Sequence, residues 1–391
     1  MLEDGEHDVF AAPKRSSESA SLYEHCTRAI DAGTTHGPHG LPLMRAGDWN
    51  DGMNRIGEGG TGESIWLGWF LAKTLNDFAP LAATRGDSAR VARGAEEVQR
   101  LTASLEDGGW DGEWYRRAYF DDGTKVGSRE SVACKIDAIA QSWAIIAGVG
   151  DPARATLANQ QAESLLVREE DGIMLLFTPP FLGGVGSDPG YIGAYPPGVR
   201  ENGGQYTHGV LWSALAMALS GDGDRAAALL SMLGPIHHAA TPETMLQYAV
   251  EPYVVAADVY AAKDNVGRGG WTWYTGSAAW MYRIGLAHIL GIQLEGGKLR
   301  FTPCVPRAWR SYEVEYRHGG STLHIVVNNP LGLSKAPCRV ELDGTLVEDG
   351  LITLVDDGLT HEVRVTLLAA EEGPIRRDPP KPLVPAHKET L

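Results

Sequence analysis

The segment Gly276-Ser277-Ala278-Ala279-Trp280-Met281-Tyr282-Arg283-Ile284-Gly285-Leu286-Ala287-His288-Ile289-Leu290-Gly291 marks a change of period in the chain. Up to Leu290 the apolar residues recur at helical spacing. Eight earlier stretches carry the same amphipathic pattern, at about 17–32, 62–84, 87–106, 134–148, 152–168, 204–220, 223–234 and 253–262, so nine helices are predicted before any strand. The first opens on Ser17-Glu18-Ser19-Ala20-Ser21-Leu22-Tyr23-Glu24, a capped helix start. Beyond Gly291 the period drops to two, in Lys298–Cys304, Tyr312–Arg317, Thr322–Asn328, Cys338–Leu342 and Glu362–Leu367, with Gly, Asn and Asp turns between them. The order predicts a mainly α protein: a helical region over 17–291, then a small antiparallel β-sandwich over 292–370. Residues 1–16 read as a polar lead-in. Residues 371–391, with Pro374, Pro379, Pro380, Pro382 and Pro385, read as a disordered tail.

Composition narrows the function. A chain of 391 residues with 43% hydrophobic and 21% charged residues is globular and long enough for two or three domains. Its 34 Lys+Arg against 50 Asp+Glu leave a formal charge of -16, which repels polyanions and argues against nucleic acid or an anionic membrane as a partner. An anionic ligand has to be captured by a local pocket. Cys26, Cys134, Cys304 and Cys338 are too scattered for a zinc site and read as buried thiols of a reducing compartment. The N-terminus has no basic or apolar signal region, and the longest apolar helical stretch, Val210 to Leu219, is too short to span a bilayer, so a cytoplasmic location is expected. The 11 Trp outnumber the 7 Phe. An indole offers a flat face and one N–H, which suits a pyranose ring. Trp66, Trp69, Trp143 and Trp212 nevertheless sit in helical apolar patterns and read as core.

Long loops rich in Gly, Pro and Asp separate the helices at 33–61, 107–130, 171–203 and 263–275. Alternate connections are long and the others short, the pattern of helices paired in a ring with the long loops over one mouth. The first loop holds Gly47-Asp48-Trp49-Asn50-Asp51-Gly52-Met53-Asn54. A carboxyl beside a second carboxylate or buried against an indole keeps its proton to higher pH, as glycoside cleavage requires of its acid. An Asx-rich turn in which Asp48 caps a helix fits the same spacing equally well. The third loop ends in Arg200-Glu201-Asn202-Gly203-Gly204-Gln205-Tyr206-Thr207-His208-Gly209, with more hydrogen-bonding side chains than a connector needs. The fourth, Gly270-Trp271-Thr272-Trp273-Tyr274-Thr275-Gly276-Ser277, sets Thr275 as the N-cap of the helix from Gly276 onward, a turn suited to an anion.

In this order and spacing, Gly47–Asn54, Arg200–His208 and Gly270–Ser277 resemble the cellobiose and chitobiose phosphorylases of glycoside hydrolase family 94. With Ser19–His25, Trp110–Phe120 and Glu251–Tyr260, the resemblance is greatest to the C-terminal phosphorylase-like region of cyclic β-1,2-glucan synthases, and it extends over nearly all of residues 1–370. It implies an (α/α)6 barrel, here incomplete, followed by the β-sandwich. It also implies that Asp51 is the general acid, that Trp49 lines the subsite of the transferred sugar, that His208, Thr275 and Gly276 hold inorganic phosphate, and that Glu201 lies near the acceptor sugar. Asp48, Arg200 and Gln205 are expected among the substrate-binding residues. The implied reaction is inverting phosphorolysis of a β-linked glucan, β-1,2 in linkage, to α-glucose 1-phosphate. Phosphate is the co-substrate, and no metal or other cofactor is expected.

Family members carry a β-sandwich and further helices ahead of the acid-bearing loop, together with an Arg for phosphate and an Arg/Asp set for the sugar that have no counterpart here. The expected partners are therefore a β-glucan oligosaccharide, phosphate, and an upstream polypeptide or a second copy that completes the barrel. Leu22, Ile30, Ile284 and Ile289 are expected to be exposed on the open faces. Two other functions remain: an inverting hydrolase, which needs a carboxylate base where His208 and Thr275 stand, and a non-catalytic sugar-binding or assembly module.

Overall fold

A computed structural model describes residue 12, residues 14–273 and residues 275–369. The tail expected over 371–391, and most of the lead-in, lie outside the described residues. The chain divides into two compact units, residues 1–220 with 228–282, and residues 221–227 with 283–391.

Caps set the helices of the first unit. Ser21 accepts the Glu24 N–H at the head of α1 (Leu22–Gly33), Ser64 the Leu67 N–H at α2 (Ile65–Thr84), and Asp87 the Arg90 N–H at α3 (Ser88–Asp107). Asp137 caps α4 (Ala138–Ala147), which stops at the left-handed Gly148, and Asp151 with Pro152 opens α5 (Pro152–Leu166). Then come α6 (Thr207–Ser220), α7 (Gly223–Met232), α8 (Pro235–His238), α9 (Pro242–Tyr248) and α10 (Ser277–Arg283), the last running on as a π-helical turn, Ile284–Ile289.

Helix α2 packs on α3 and α4, and α4 on α5 and α6, so α2, α4 and α6 are successive neighbours with α3 and α5 beside them. Tryptophans join the three. Trp66 of α2 stacks on Trp212 of α6 at 6.1 Å, and Trp143 of α4 meets both edge-on at 5.7 and 5.2 Å. All three, and Trp69, are buried as their pattern requires. Burying a large apolar side chain is worth about 1.5–3 kcal/mol.

Very short strands pin the loops between the helices: β1 (Glu63–Ser64), β2 (Ala118–Tyr119) and β3 (Lys125–Val126) form one ladder. β4 (Ile136–Asp137) pairs with β7 (Phe177–Thr178), β5 (Val167–Arg168) with β6 (Ile173–Met174), and β8 (Gln205–Tyr206) with β9 (Asp258–Val259). The last pair replaces the helix expected over 253–262. Tyr206 faces Asp258 in antiparallel register, and the buried Asp258 carboxylate accepts the N–H groups of Arg200 and Trp271. These long-range bonds outweigh a local helical period.

The second unit holds β10 (Ile292–Glu295), β11 (Lys298–Phe301), β12 (Ser311–His318), β13 (Ser321–Asn328), β14 (Cys338–Leu342), β15 (Thr345–Leu346), β16 (Leu351–Thr353) and β17 (Thr360–Leu367). They form a three-stranded sheet, β10-β11-β16, and a five-stranded sheet, β12-β13-β17-β14-β15, over one buried cluster that includes Leu299, Ile352, Ile325 and Val365. One expectation is corrected here: β13 and β17 pair in parallel, Thr322 with Thr360 through Asn328 with Thr366, so the large sheet is mixed rather than antiparallel. The intervening β14, β15 and β16 give the chain room to return in the same direction.

Two further corrections concern burial. Leu22 is 79% exposed, but Ile30, Ile284 and Ile289 are buried, because the apolar stripes of their helices are covered within the described residues. The four cysteines are unpaired thiols, of which only Cys134 and Cys304 are buried. No helix among the described residues is long and apolar enough to cross a membrane.

Candidate active site

The 34–62 loop turns sharply at Gly47, whose φ of +119° suits glycine and whose Cα hydrogen faces Asp51, where a Cβ would lie 3.2 Å from the Asp51 Cα. Asp51–Met53 then forms a 3-10 turn. The turn is clamped to a second one, Tyr191–Ala194, by a bond from Arg55 N–H to the Pro189 carbonyl and one from Tyr191 N–H to Asn54 Oδ1. Ile192 packs against Gly52. The Asp51 side chain stands exposed, with the Tyr191 phenol beside it. Burial first, and then the neighbouring Asp51 carboxylate, push the Tyr191 phenol pKa up.

Asp48 is not available to a sugar. Its side chain is fully buried, with Oδ2 accepting from Arg117 Nη1 and Ser64 Oγ, both at 2.6 Å, and Oδ1 accepting from Arg117 Nη2 at 2.7 Å and from Asn50 N–H at 2.9 Å. Burial opposes its ionisation, but the Arg117 charge and these bonds outweigh it and hold its carboxyl below the usual range. The substrate-binding role expected of Asp48 is thereby corrected to a support of the turn, and the Asx-turn reading describes its bond to Asn50.

Trp49 points the other way. Its indole meets Tyr206 at 5.6 Å and His208 at 5.4 Å edge-on, and Trp212 at 5.2 Å. His208, the second residue of α6, has a buried Nε2 with no hydrogen-bond partner. Burial lowers its pKa to about 4, so at pH 7 the ring is neutral and keeps a single N–H to donate. Gly276 lies directly against it: a Cβ there would stand 3.5 Å from the imidazole Cε1 and Nδ1. Helix α10 begins at Ser277, one residue later than expected, and Thr275 Oγ1 accepts the Ser277 N–H at 3.1 Å. His208, Thr275 and Gly276 are thus brought together, and Trp49 connects them to the Asp51 turn.

Arg200 has a left-handed φ of 52°, held by the bond from its N–H to Asp258 Oδ2. Its guanidinium lies over the Tyr195 ring at 5.0 Å, with Nε 3.4 Å from Glu201 Oε2. Glu201 is 7% exposed, and burial raises its pKa against the opposing pull of Arg200 and a hydrogen bond from Tyr206. Its Oε2 lacks a hydrogen-bond partner, so it can accept a sugar hydroxyl. Gln205 differs. It is fully buried, with Oε1 accepting from Met174 N–H at 3.4 Å and Nε2 3.5 Å from His238 Nε2, which makes it a support of the loop in place of the substrate contact expected.

Sequence reading missed Arg117, Asp137, Tyr191, Tyr206 and Asp258. The available signal for Arg117 was an arginine pair set among aromatics, Trp114-Tyr115-Arg116-Arg117-Ala118-Tyr119-Phe120.

A loop bearing Trp-Asn-Asp, an uncharged histidine at a helix head and a Thr-Gly turn beside it make up the candidate site. The chain belongs to the Glycosyl hydrolase 94 superfamily, whose catalytic domain matches residues 1–291. It is 50% identical over 328 residues to the cyclic beta-(1,2)-glucan synthase NdvB of Rhizobium meliloti (strain 1021), covering 84% of this chain and 12% of that protein. It is 30% identical to the solabiose phosphorylase of Paenibacillus borealis, over 91% of this chain and 46% of that one. To the N,N'-diacetylchitobiose phosphorylase of Vibrio furnissii it is 28% identical, over 91% and 43%. The chain spans less than half the length of each of these relatives. A solved sialidase structure shares the fold alone, with a TM-score of 0.50 and 12% identity over 75% of this chain and 26% of that one.

Proposed function

We propose that these residues carry the acid and the phosphate pocket of an inverting glycoside phosphorylase that cleaves a β-linked glucan, β-1,2 in linkage, to α-glucose 1-phosphate. The observation that carries the reading is His208 Nε2, buried and without a protein partner, beside Thr275 and Gly276 and linked through Trp49 to the Asp51 turn. In the reaction Asp51 gives its proton to the glycosidic oxygen as the bond from that oxygen to the anomeric carbon breaks. A phosphate oxygen forms the new bond from the opposite face, and the configuration inverts. Phosphate is its own nucleophile, so no carboxylate base is needed. A neutral His208 takes part by donating one N–H, with the Thr275 hydroxyl and the N–H groups at the head of α10 beside it.

Trp49 offers an apolar face to the transferred sugar, and Glu201 and Arg200 take hydroxyls of the acceptor. Helices α2, α4 and α6 are read as inner members of an (α/α)6 barrel, with α3 and α5 outside them. The remaining sugar and phosphate contacts come from polypeptide beyond these residues or from a second copy. The test is to supply the full-length protein with β-1,2-glucan with and without phosphate. α-Glucose 1-phosphate formed only with phosphate supports the reading. Free sugar without phosphate identifies a hydrolase, and binding without turnover a sugar-binding module.

A further inference from the structure

Behind the Asp51 turn lies a fully buried charge cluster, formed by Arg117, Asp48 and Asp137, none of whose side chains is more than 1% exposed. Its guanidinium joins three element ends. Both Nη atoms bond Asp48 in the acid loop, Nη1 also lies 3.4 Å from Ser64 Oγ at the cap of α2, and Nε lies 3.4 Å from Asp137 Oδ2 at the cap of α4. The Arg117 backbone is fixed as well, its carbonyl accepting the Ile65 N–H and its N–H donating to the Val126 carbonyl. Arg117 Nε and Asp137 Oδ2 have no other hydrogen-bond partner, so the two groups face each other. A buried charge cluster adds little stability that well-packed apolar side chains would not supply. What it adds is direction, since a planar fork accepts a carboxylate in one orientation only.

We propose that Arg117, aimed by Asp137 through Nε, is the positioning residue of the acid turn: by holding both oxygens of Asp48 it fixes where Asp51, three residues on, presents its carboxyl. The proposal rests on the reading of Asp51 as general acid. Arg117 does not touch substrate. It therefore affects proton delivery, while the Trp49 indole, held from its other side by Tyr206, His208 and Trp212, keeps the sugar subsite and the phosphate pocket in place.

The test compares Arg117→Lys and Asp48→Asn with Asp51→Asn in the full-length protein, on two substrates with phosphate: β-1,2-glucan, whose leaving sugar needs a proton, and β-D-glucosyl fluoride, whose leaving group does not. Melting temperature and amide exchange over residues 49–54 are read on the same samples. Lysine keeps the charge and loses the fork. Asparagine at 48 leaves Arg117 paired with Asp137, a neutral couple, and so keeps the fold should Arg117→Lys fail to form it. Both variants are expected to lose about 10²-fold in kcat on glucan, the scale of a displacement near 1 Å, while KM and turnover of the fluoride hold and exchange quickens only over 49–54. Equal loss on both substrates, or wild-type protection of 49–54, overturns the proposal. If Asp51→Asn keeps its turnover of glucan, the acid assignment fails, and the exchange data alone then decide whether Arg117 holds the turn. They also decide where no turnover is measurable.

Discussion

Gly209→Ala adds one methyl group to the wall of the site. The new Cβ would stand 2.7 Å from Leu176 Cδ1, 2.8 Å from Trp49 Cη2 and 3.1 Å from Ile139 Cγ2. Carbon atoms rest at about 3.5–4.0 Å, so Leu176 and Trp49 each have to give by roughly 0.7–0.8 Å or more and Ile139 by about 0.4 Å or more. Leu176 and Ile139 are fully buried and cannot move far, whereas Trp49 is partly exposed and can. Most of the displacement therefore falls on the Trp49 indole. Overpacking costs about 1–3 kcal/mol, and replacing a helical glycine returns at most about 1 kcal/mol, leaving a net loss of roughly 0–3 kcal/mol. The catalytic effect is larger, because misplacing a group at the reacting centre by about 1 Å costs on the order of 10²-fold in turnover. Thermal melting, tryptophan fluorescence and phosphorolysis of glucan measure the three consequences. A variant with unchanged fluorescence and wild-type turnover would refute the placement of Trp49. A variant that fails to fold would show that Leu176 and Ile139, rather than Trp49, meet the methyl group.

His208→Ala and Thr275→Ala are each expected to raise the phosphate requirement ten- to hundredfold and the glucan requirement far less, about the worth of one hydrogen bond to an anion, read from initial rates at varied phosphate and glucan. Tyr191→Phe removes the hydroxyl beside Asp51. Because Tyr191 is 43% exposed, the melting temperature should hold while turnover falls about tenfold or more. His208, His238 and His288 should each contribute an acid destabilisation between about pH 6.5 and 4, because they take up protons there when unfolded but not when folded, burial having lowered all three to about 4. Asp137, raised to about 6 by burial, acts in the opposite sense over a similar range, as do the buried Glu201 and Asp258, so the histidine contribution is read by difference from a variant. For His238, 7% exposed, the shift corresponds to at most about 3 kcal/mol, and His238→Phe, which can stack on Tyr248 without ionising, should flatten the fall of melting temperature with pH.

Sequence period alone located the long helices and the main strands, because one-sided burial leaves a mark every 3.6 or two residues. It failed over 253–262, where Tyr-Val-Val-Ala-Ala-Asp-Val-Tyr-Ala-Ala has a helical look but Asp258 is drawn into pairing with Tyr206 and bonding to Arg200 and Trp271. It also missed the parallel β13–β17 pair, since a strand's period does not record its direction. In the candidate site, Asp51, Trp49, His208 and Gly276 were named through the family resemblance, while loop chemistry and spacing alone left the Asp48–Asp51 turn open between an acid and an Asx turn. Asp48 misled for the opposite reason. Its partner Arg117 lies 69 positions along the chain, and no local pattern records an ion pair made at that distance. Gln205 was read with its polar neighbours, but strand alternation turns its side chain inward, toward Met174 and His238.

The central claim is that Asp51 donates the proton while phosphate attacks from a pocket at His208, Thr275 and Gly276. Phosphorus NMR of the products formed by the wild-type protein and by Asp51→Asn, from β-1,2-glucan with phosphate, tests it most directly. The expected result is α-glucose 1-phosphate from the wild type, none when phosphate is left out, and a rate about 10²–10⁴-fold lower from the variant with glucan binding retained. An Asp51→Asn rate within tenfold of wild type, a β-configured phosphate product, or free sugar released at the same rate without phosphate would contradict it.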